Sequence, residues 1–193
     1  MAEKIFHFPE KLQAWPKAVP YREAEELNPG LFFFILYLCE FLRIDLPYIS
    51  IADGIATHNH IVEAMLFLPE NSPDLEKPLI VIAKTDTPIH FAGVLASQLR
   101  LIWQRTYHES EFLPRPKTSA QRLSHPGEVD SDAFAIAIMY EMDREYEIEY
   151  YGKIMCPGMD EDENSKPYFA TRIINAKMIY TQLQERGNTV PAK

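Results

Sequence analysis

The sequence predicts an α+β fold in which a small β-sheet packs against several helices. Short β-prone runs, separated by turn-rich segments, lie between residues 48 and 83. Prolines open helical patterns before this stretch, at Pro29, and after it, at Pro88 and Pro126, and the first turn is where a helix tolerates proline. The order helix, sheet, helices is typical of α+β proteins.

Length, composition and charge bound the class of protein. The chain has 193 residues, of which 47% are hydrophobic and 24% charged, the usual mixture for a globular protein. We expect an extended N-terminal arm over residues 1–20, a single domain over 21–187 and a frayed tail over 188–193. The formal net charge of −9 argues against nucleic-acid binding, which depends on Lys and Arg, and permits a basic protein partner.

The cysteines and the apolar stretches indicate a cytoplasmic protein without a membrane span. Cys39 and Cys156 are too few to form a disulfide framework, and Cys39 is expected to be a buried thiol. The most apolar stretch, residues 31–39, is much shorter than the roughly 20 residues that cross a bilayer. The N-terminal residues have no apolar segment typical of a signal peptide.

The elements of the first half follow from local patterns. Pro9, Pro16 and Pro20 indicate an extended arm. Asn28 is expected to cap a helix over 29–44, which is apolar nearly all round and should therefore be buried. Three strands of one sheet are predicted at 48–52, 61–68 and 79–83.

The second half is predicted to be mainly helical. Thr87 should cap a long helix over 88–108, and a second helix is expected over 126–143. The 17 residues between them, 109–125, are predicted to form a loop. Residues 145–151 alternate acidic and apolar side chains, which indicates either a strand or a continuation of the preceding helix. A turn-rich acidic loop and a final amphipathic helix over 168–186 complete the chain.

Two of these helices carry distinctive segments. One contains Ala96-Ser97-Gln98-Leu99-Arg100-Leu101-Ile102-Trp103-Gln104, and the next begins with Glu128-Val129-Asp130-Ser131-Asp132-Ala133-Phe134-Ala135. Together they resemble a family of zinc-peptidase-like proteins found in phages and mobile elements of Gram-positive bacteria. That family reads approximately A-H-E-L-R-H-x-W-Q, followed by E-V-D-A-N-A-F-A. The resemblance spans about residues 78–142 and implies a zincin-like core.

The zinc-binding positions of the family motif are altered in this chain. In an intact motif, histidines one helical turn apart bind zinc, and the glutamate beside the first acts as general base. Here Ser97 stands at the first histidine, Gln98 at the glutamate and Leu101 at the second histidine. The carboxylate that serves as third ligand falls on Glu128. One carboxylate does not hold zinc against water, so we expect no metal, no other cofactor and no catalytic residue.

The other matching positions are expected to have structural roles. Arg100 and Gln104 are neighbours on one helix face, and Arg100 should pair with Asp130 or Asp132 of the next helix. Trp103 is expected to pack under the long loop. Such contacts do not require a bound metal, and they are also expected in an ordinary pair of core helices.

The resemblance implies a non-catalytic, pseudo-metallopeptidase protein of a phage or mobile element that acts by protein binding. An acidic face made by Glu145, Glu147 and Glu149 is a candidate surface for a basic partner. The alternative is a metal-dependent peptidase with a relocated active site. For that alternative, His58 and His60 together with Glu128 are the candidate ligands of a substitute metal.

Overall fold

The computed structural model describes residues 3–9, 17–57, 60–112, 116 and 118–187. The chain divides into two compact units, residues 1–86 and 87–193, a division that was not predicted. Strands dominate the first unit and helices the second, so the predicted α+β class is confirmed. Within the described part, no helix is both long and apolar enough to cross a membrane.

The first unit contains a five-stranded sheet and a separate hairpin. The sheet strands are β1 (Lys4–His7), β2 (Ala18–Glu23), β3 (Tyr48–Ala52), β6 (Ala64–Phe67) and β7 (Leu79–Ala83), in the order β1-β2-β3-β7-β6. β3 and β7 are parallel, and the other neighbours are antiparallel. The hairpin pairs β4 (Ile55–Thr57) with β5 (His60–Val62). The run predicted as one strand over 61–68 is therefore divided between β5 and β6.

Aromatic side chains bring the two edges of this sheet together. Phe6 of the edge strand β1 lies with its ring centroid 4.6 Å from that of Phe67 on the opposite edge strand, β6. Phe8 lies 5.4 Å from the same ring. The sheet must curl for these contacts to form, and Phe6 and Val19 are buried as a result. The stretch predicted as an extended arm thus supplies two strands of the sheet.

The first helix, α1 (Pro29–Leu42), begins as predicted. The Asn28 side chain accepts a hydrogen bond of 3.0 Å from the Leu31 amide, and Arg43, in the left-handed conformation, ends the helix. Cys39 is a buried free thiol, as expected. The prediction of burial all round is wrong, because Phe33 and Tyr37 are 64% and 49% exposed.

The described part of the second unit contains six helices. They are α2 (Pro88–Tyr107), α3 (Glu109–Phe112), α4 (Ser119–Ser124), α5 (Pro126–Met142), α6 (Ile148–Met155) and α7 (Lys166–Gly187). The helix starts predicted at Pro88 and Pro126 are confirmed, and Thr87 caps α2 by accepting from the His90 amide. The final helix starts two residues before the prediction.

Two predictions in this unit are wrong. The stretch predicted as a 17-residue loop contains α3 and α4, and α4 begins with a reciprocal capping box between Thr118 and Gln121. The alternating segment over 145–151 is neither a strand nor part of α5, because α6 begins at Ile148. Ile148, Tyr151 and Gly152 are buried at helical spacing, and this burial decides the conformation.

Close helix contacts organise the unit. α2 and α5 run antiparallel, since Gln104 contacts Gly127 at one end of the pair while Gly93 lies against Met139 at the other. α6 and α7 approach closely at Gly152, where an added Cβ would lie 2.5 Å from Cδ1 of Ile173. The resulting helical scaffold carries both distinctive sequence segments.

Candidate functional site

A polar network joins α2 to α5 at the distinctive segments. Arg100 donates to both oxygens of Asp130, from Nε at 2.7 Å and from Nη2 at 3.0 Å. Gln104 donates from Nε2 to Asp130 at 2.8 Å and to the Gly127 carbonyl at 3.0 Å. The predicted pairing of Arg100 with the next helix is therefore confirmed, with Asp130 as its partner.

Trp103 packs against the Arg100 member of this network. The Arg100 guanidinium lies 3.7 Å from the Trp103 ring centroid, within the range of a cation–π contact. The Trp103 ring is also 4.4 Å from His108. Residues 113–115 and 117 of the stretch under which Trp103 was expected to pack lie outside the described residues, and the observed contact of Trp103 is with Arg100.

The three altered motif positions lie on α2, the helix that also carries Arg100 and Gln104. Ser97 is buried, while Gln98 and Leu101 are half-buried. Ser97 comes one turn after Gly93 and one turn before Arg100, so it shares the side of α2 that meets α5. Leu101 is thus less buried than an aliphatic side chain in the centre of a core.

Glu128 and Asp132 lie one turn apart on α5 and line a cavity of about 260 Å³. Arg122, Cys156 and Arg172 contribute the other polar groups of its wall. Ser97, Gln98 and Leu101 are not among the described residues that line it. The structure thus brings Asp130 to α2, whereas Glu128 and Asp132 border a cavity shared with α4 and α7.

An ion pair between Arg172 and Asp132 lies in the wall of this cavity. Arg172 of α7, whose side chain is only 3% exposed, donates from Nε to Asp132 at 2.7 Å. Its Nη1 donates to the carbonyls of Leu123 at 2.9 Å and Tyr168 at 3.3 Å. The Cys156 thiol lies 3.8 Å from the Asp132 carboxylate. Asp132 therefore links α5 to α7, and it does not pair with Arg100.

Burial dominates the electrostatics of this cavity. It raises the pKa of Asp132 to about 6, with a smaller contribution from the charge of Glu128, while Arg172 opposes the shift. Burial also raises the pKa of the Cys156 thiol to about 12. Cys156 is therefore a thiol at neutral pH and a weak nucleophile. A carboxyl that titrates near pH 6 in a cleft is a common property of binding and catalytic sites.

Sequence reasoning missed Arg172, Cys156 and Arg122 as members of this site. Arg122 comes from α4, Cys156 from the residue after α6 and Arg172 from α7, and no local motif connects them. The sequence offers no local signal for Arg172, because its burial against Asp132 depends on the packing of α7 against α5.

The three glutamates proposed as an acidic face do not lie along one strand. Glu145 and Glu147 precede α6, and Glu149 lies in its first turn. Glu149 accepts a 2.7 Å bond from Lys177, and this bond lowers the pKa of Glu149. Beside these glutamates in the sequence, Tyr146 and Tyr150 are 47% and 43% exposed, with ring centroids 4.3 Å apart.

The candidate ligands of a substitute metal site are only partly described. His58 lies outside the described residues, as does the side chain of His60. Within the part of the chain that is described, no group of three or more His, Cys, Asp or Glu side chains is arranged to hold a metal ion.

Comparisons with known proteins give no relative for this fold and site. Neither a protein-family model, nor a curated protein, nor a solved structure matches the chain. The class of protein is therefore defined by its own features: an α+β protein with a curled sheet and a helical unit that contains a polar cavity.

Proposed function

We propose that the chain is a non-catalytic, zincin-like protein that acts by binding a protein partner. The zincin-like assignment rests on the resemblance of the α2 and α5 segments to the phage and mobile-element family. The paired helices, linked by Arg100 and Asp130, are compatible with that assignment. We place the protein in the cytoplasm of a cell that carries such an element.

The absence of catalysis follows from the chemistry of the altered positions. Leu101 has no atom that can ligate zinc, and the Gln98 amide cannot take a proton from water at neutral pH. The hydrogen bonds among Arg100, Gln104 and Asp130, which we call the polar lock, join the two helices directly. A scaffold held by such a lock needs no metal at these positions to keep its helices together.

The observation that carries the binding proposal is the exposed Tyr146–Tyr150 pair. It belongs to the α5–α6 corner, which we define as residues 143–150. Tyrosine is enriched at protein interfaces, because it buries a large rigid surface at low entropic cost and keeps a polar tip. Two tyrosine rings that contact each other at a tilt of 32° and are almost half exposed in the free chain provide a preformed anchor of this kind.

Charge at the same corner favours a basic partner. Between residues 141 and 149 the sequence has five acidic residues and one arginine. That arginine, Arg144, is bound to both carboxylate oxygens of Glu141 at 2.8 Å. Glu145 and Glu147 flank Tyr146 and are exposed. A partner with Lys or Arg beside an apolar patch would match both features.

The test is capture of a partner with and without the tyrosine pair. Tagged natural protein and the Tyr146→Ala/Tyr150→Ala variant are compared in cells of the native host. A matched control, Tyr107→Ala/Tyr168→Ala, removes two tyrosines that are exposed elsewhere. We expect a basic protein to be retained by the natural chain and the control but lost from the variant. Identical retention by all three forms would refute the corner as the binding surface.

A further inference from the structure

The cavity between α4, α5 and α7 has charged groups of both signs in its wall. Glu128 and Asp132 supply carboxylates, and Arg122 and Arg172 supply guanidinium groups. Asp132 and Arg172 neutralise each other through their 2.7 Å bond. The remaining pair, Glu128 and Arg122, makes no hydrogen bond or ion pair through its side chains with the described residues. The cavity therefore presents an anionic and a cationic group that are both available to a ligand.

Arg172 adds unused hydrogen-bonding capacity. Its Nε and Nη1 are bonded to Asp132 and to two carbonyls. The described residues offer the guanidinium one further partner, the weakly accepting Cys156 thiol, so N–H donors of Nη2 remain for a ligand. Because the side chain is 3% exposed and lines the cavity, its position is fixed before any ligand arrives. A buried, fixed guanidinium with spare donors is suited to a carboxylate.

The rest of the wall is apolar and contains sulfur. Leu123, Met155 and Met159 line the cavity beside these charges. Methionine side chains adapt to aliphatic and thioether groups. The cavity volume, about 260 Å³, is slightly below the range of pockets that hold drug-sized molecules, so it suits a smaller ligand.

We propose that this cavity binds a free α-amino acid with an apolar side chain. The ligand carboxylate would accept hydrogen bonds from Arg172 Nη2 and from Arg122, and its ammonium group would donate to Glu128. The side chain would lie against Met155, Met159 and Leu123. A zwitterion matches a wall with one available charge of each sign, whereas a simple anion would face Glu128 and a simple cation would face Arg122. This binding activity goes beyond the proposed protein partner and does not depend on the α5–α6 corner.

The experiment measures thermal unfolding and calorimetric binding of the full chain with L-methionine and L-leucine. At saturating concentrations we expect the midpoint of unfolding to rise by about 3 °C, as ligand binding to the folded state requires. N-acetyl-L-methionine lacks the ammonium group, 3-(methylthio)propylamine lacks the carboxylate, and glycine lacks the side chain. Each of these comparators should bind at least tenfold more weakly than L-methionine.

Variants locate the binding. Glu128→Gln and Arg122→Gln should each weaken L-methionine binding by tenfold or more. Arg122 is exposed, so its replacement should leave the fold intact even if the Glu128 variant is unstable. Glu161→Gln removes one negative charge, as Glu128→Gln does, but at an exposed site outside the cavity. This control variant should bind L-methionine as tightly as the natural chain does. Absence of binding by both amino acids, equal binding of N-acetyl-L-methionine, or unchanged binding by the Arg122 variant would each overturn the proposal.

Discussion

The Arg100 guanidinium holds the Asp130 carboxylate through two parallel hydrogen bonds, of 2.7 Å from Nε and 3.0 Å from Nη2. This bidentate geometry is the strongest common form of a charged side-chain pair. Gln104 donates to the same carboxylate, so one residue of α5 anchors two residues of α2. Among the described residues, these hydrogen bonds and that of Gln104 to the Gly127 carbonyl link the two helices.

Replacement of Asp130 should therefore cost stability. Asp130→Asn leaves the Arg100 charge without its counterion, and the two side chains are only 15% and 24% exposed. We expect a loss of about 2–3 kcal/mol in the free energy of unfolding, measured by urea denaturation. Glu163→Gln breaks an exposed ion pair with Lys166 and should leave the urea midpoint unchanged. Equal midpoints for both variants would show that the lock does not stabilise the helix pair.

The raised pKa of Asp132 predicts an unusual dependence of stability on pH. Its value of about 6 exceeds the value of about 4 expected for an unfolded chain. Between these values the folded state binds more protons than the unfolded state. The contribution of Asp132 is therefore fully present below about pH 4 and is lost as the pH rises towards about 6.

Asp132→Asn isolates this contribution, because the variant has no carboxyl at the site. From pH 4 to pH 6 the natural chain should lose about 1–3 kcal/mol relative to the variant, with no further change above pH 7. Carboxyls with lowered pKa values, such as Glu149 and Asp160, affect both forms equally and cancel. The measurement is urea unfolding at several pH values. Parallel stability curves for the two forms would contradict the assigned direction of the shift.

Gly152 is expected to tolerate alanine poorly despite its position in a helix. An added Cβ would lie 2.5 Å from Cδ1 of Ile173 and 3.0 Å from Cζ of Phe169, and both side chains are buried. Overpacking of this kind costs about 1–3 kcal/mol, which outweighs the gain of up to about 1 kcal/mol in helix propensity. At Gly30 the nearest atom is 3.6 Å away, so Gly30→Ala should not destabilise the chain. Thermal unfolding of the two variants gives the comparison.

Association with a basic partner should depend on salt and on the corner glutamates. The partner used in this measurement is the basic protein that the natural chain captures and the Tyr146→Ala/Tyr150→Ala variant does not. Replacement of Glu145, Glu147 and Glu149 by Gln should slow association roughly tenfold at low salt. The difference should shrink at high salt, where charges are screened within about 3 Å. Glu149 is already paired with Lys177, so its single replacement should have the smallest effect.

A charge-matched control separates the corner from the overall acidity of the chain. Glu25, Glu26 and Glu161 are exposed and lie outside the corner. Their joint replacement by Gln changes the net charge by the same amount as the corner variant. We expect its association rate to stay close to that of the natural chain, and an equal loss in both triple variants would place the effect in the net charge.

Local chemistry made the helix starts predictable. Asn28-Pro29 and Thr87-Pro88 combine a capping side chain with proline at the first helical position, and both define a helix start in the structure. Thr118 and Gln121 form a capping box of the same local kind, but Pro114 and Pro116 just before them are typical of a loop. For residues 145–151 the local pattern was misleading. The alternation of acidic and apolar side chains favours a strand, but Ile148 and Tyr151 are buried at helical spacing and α6 forms instead.

Long-range contacts account for what the sequence could not predict. β1 was missed because its stability comes from pairing with β2 and from the contact of Phe6 with Phe67, sixty-one residues away. The cavity was missed for the same reason, since Arg172 reaches Asp132 across 40 residues. The pairing of Arg100 with α5 was predictable, because the two segments lie on consecutive long helices whose order in the chain favours contact.

The zinc content of the natural chain tests the central claim, a zincin-like scaffold without a working metal site, most directly. The protein is purified without chelator from zinc-supplemented cells, and bound metal is measured by elemental analysis. With Ser97, Gln98 and Leu101 at the motif positions, we predict far less than one equivalent of zinc per chain, because no histidine is available there. One tightly bound equivalent would contradict the account and would favour a peptidase with a relocated metal.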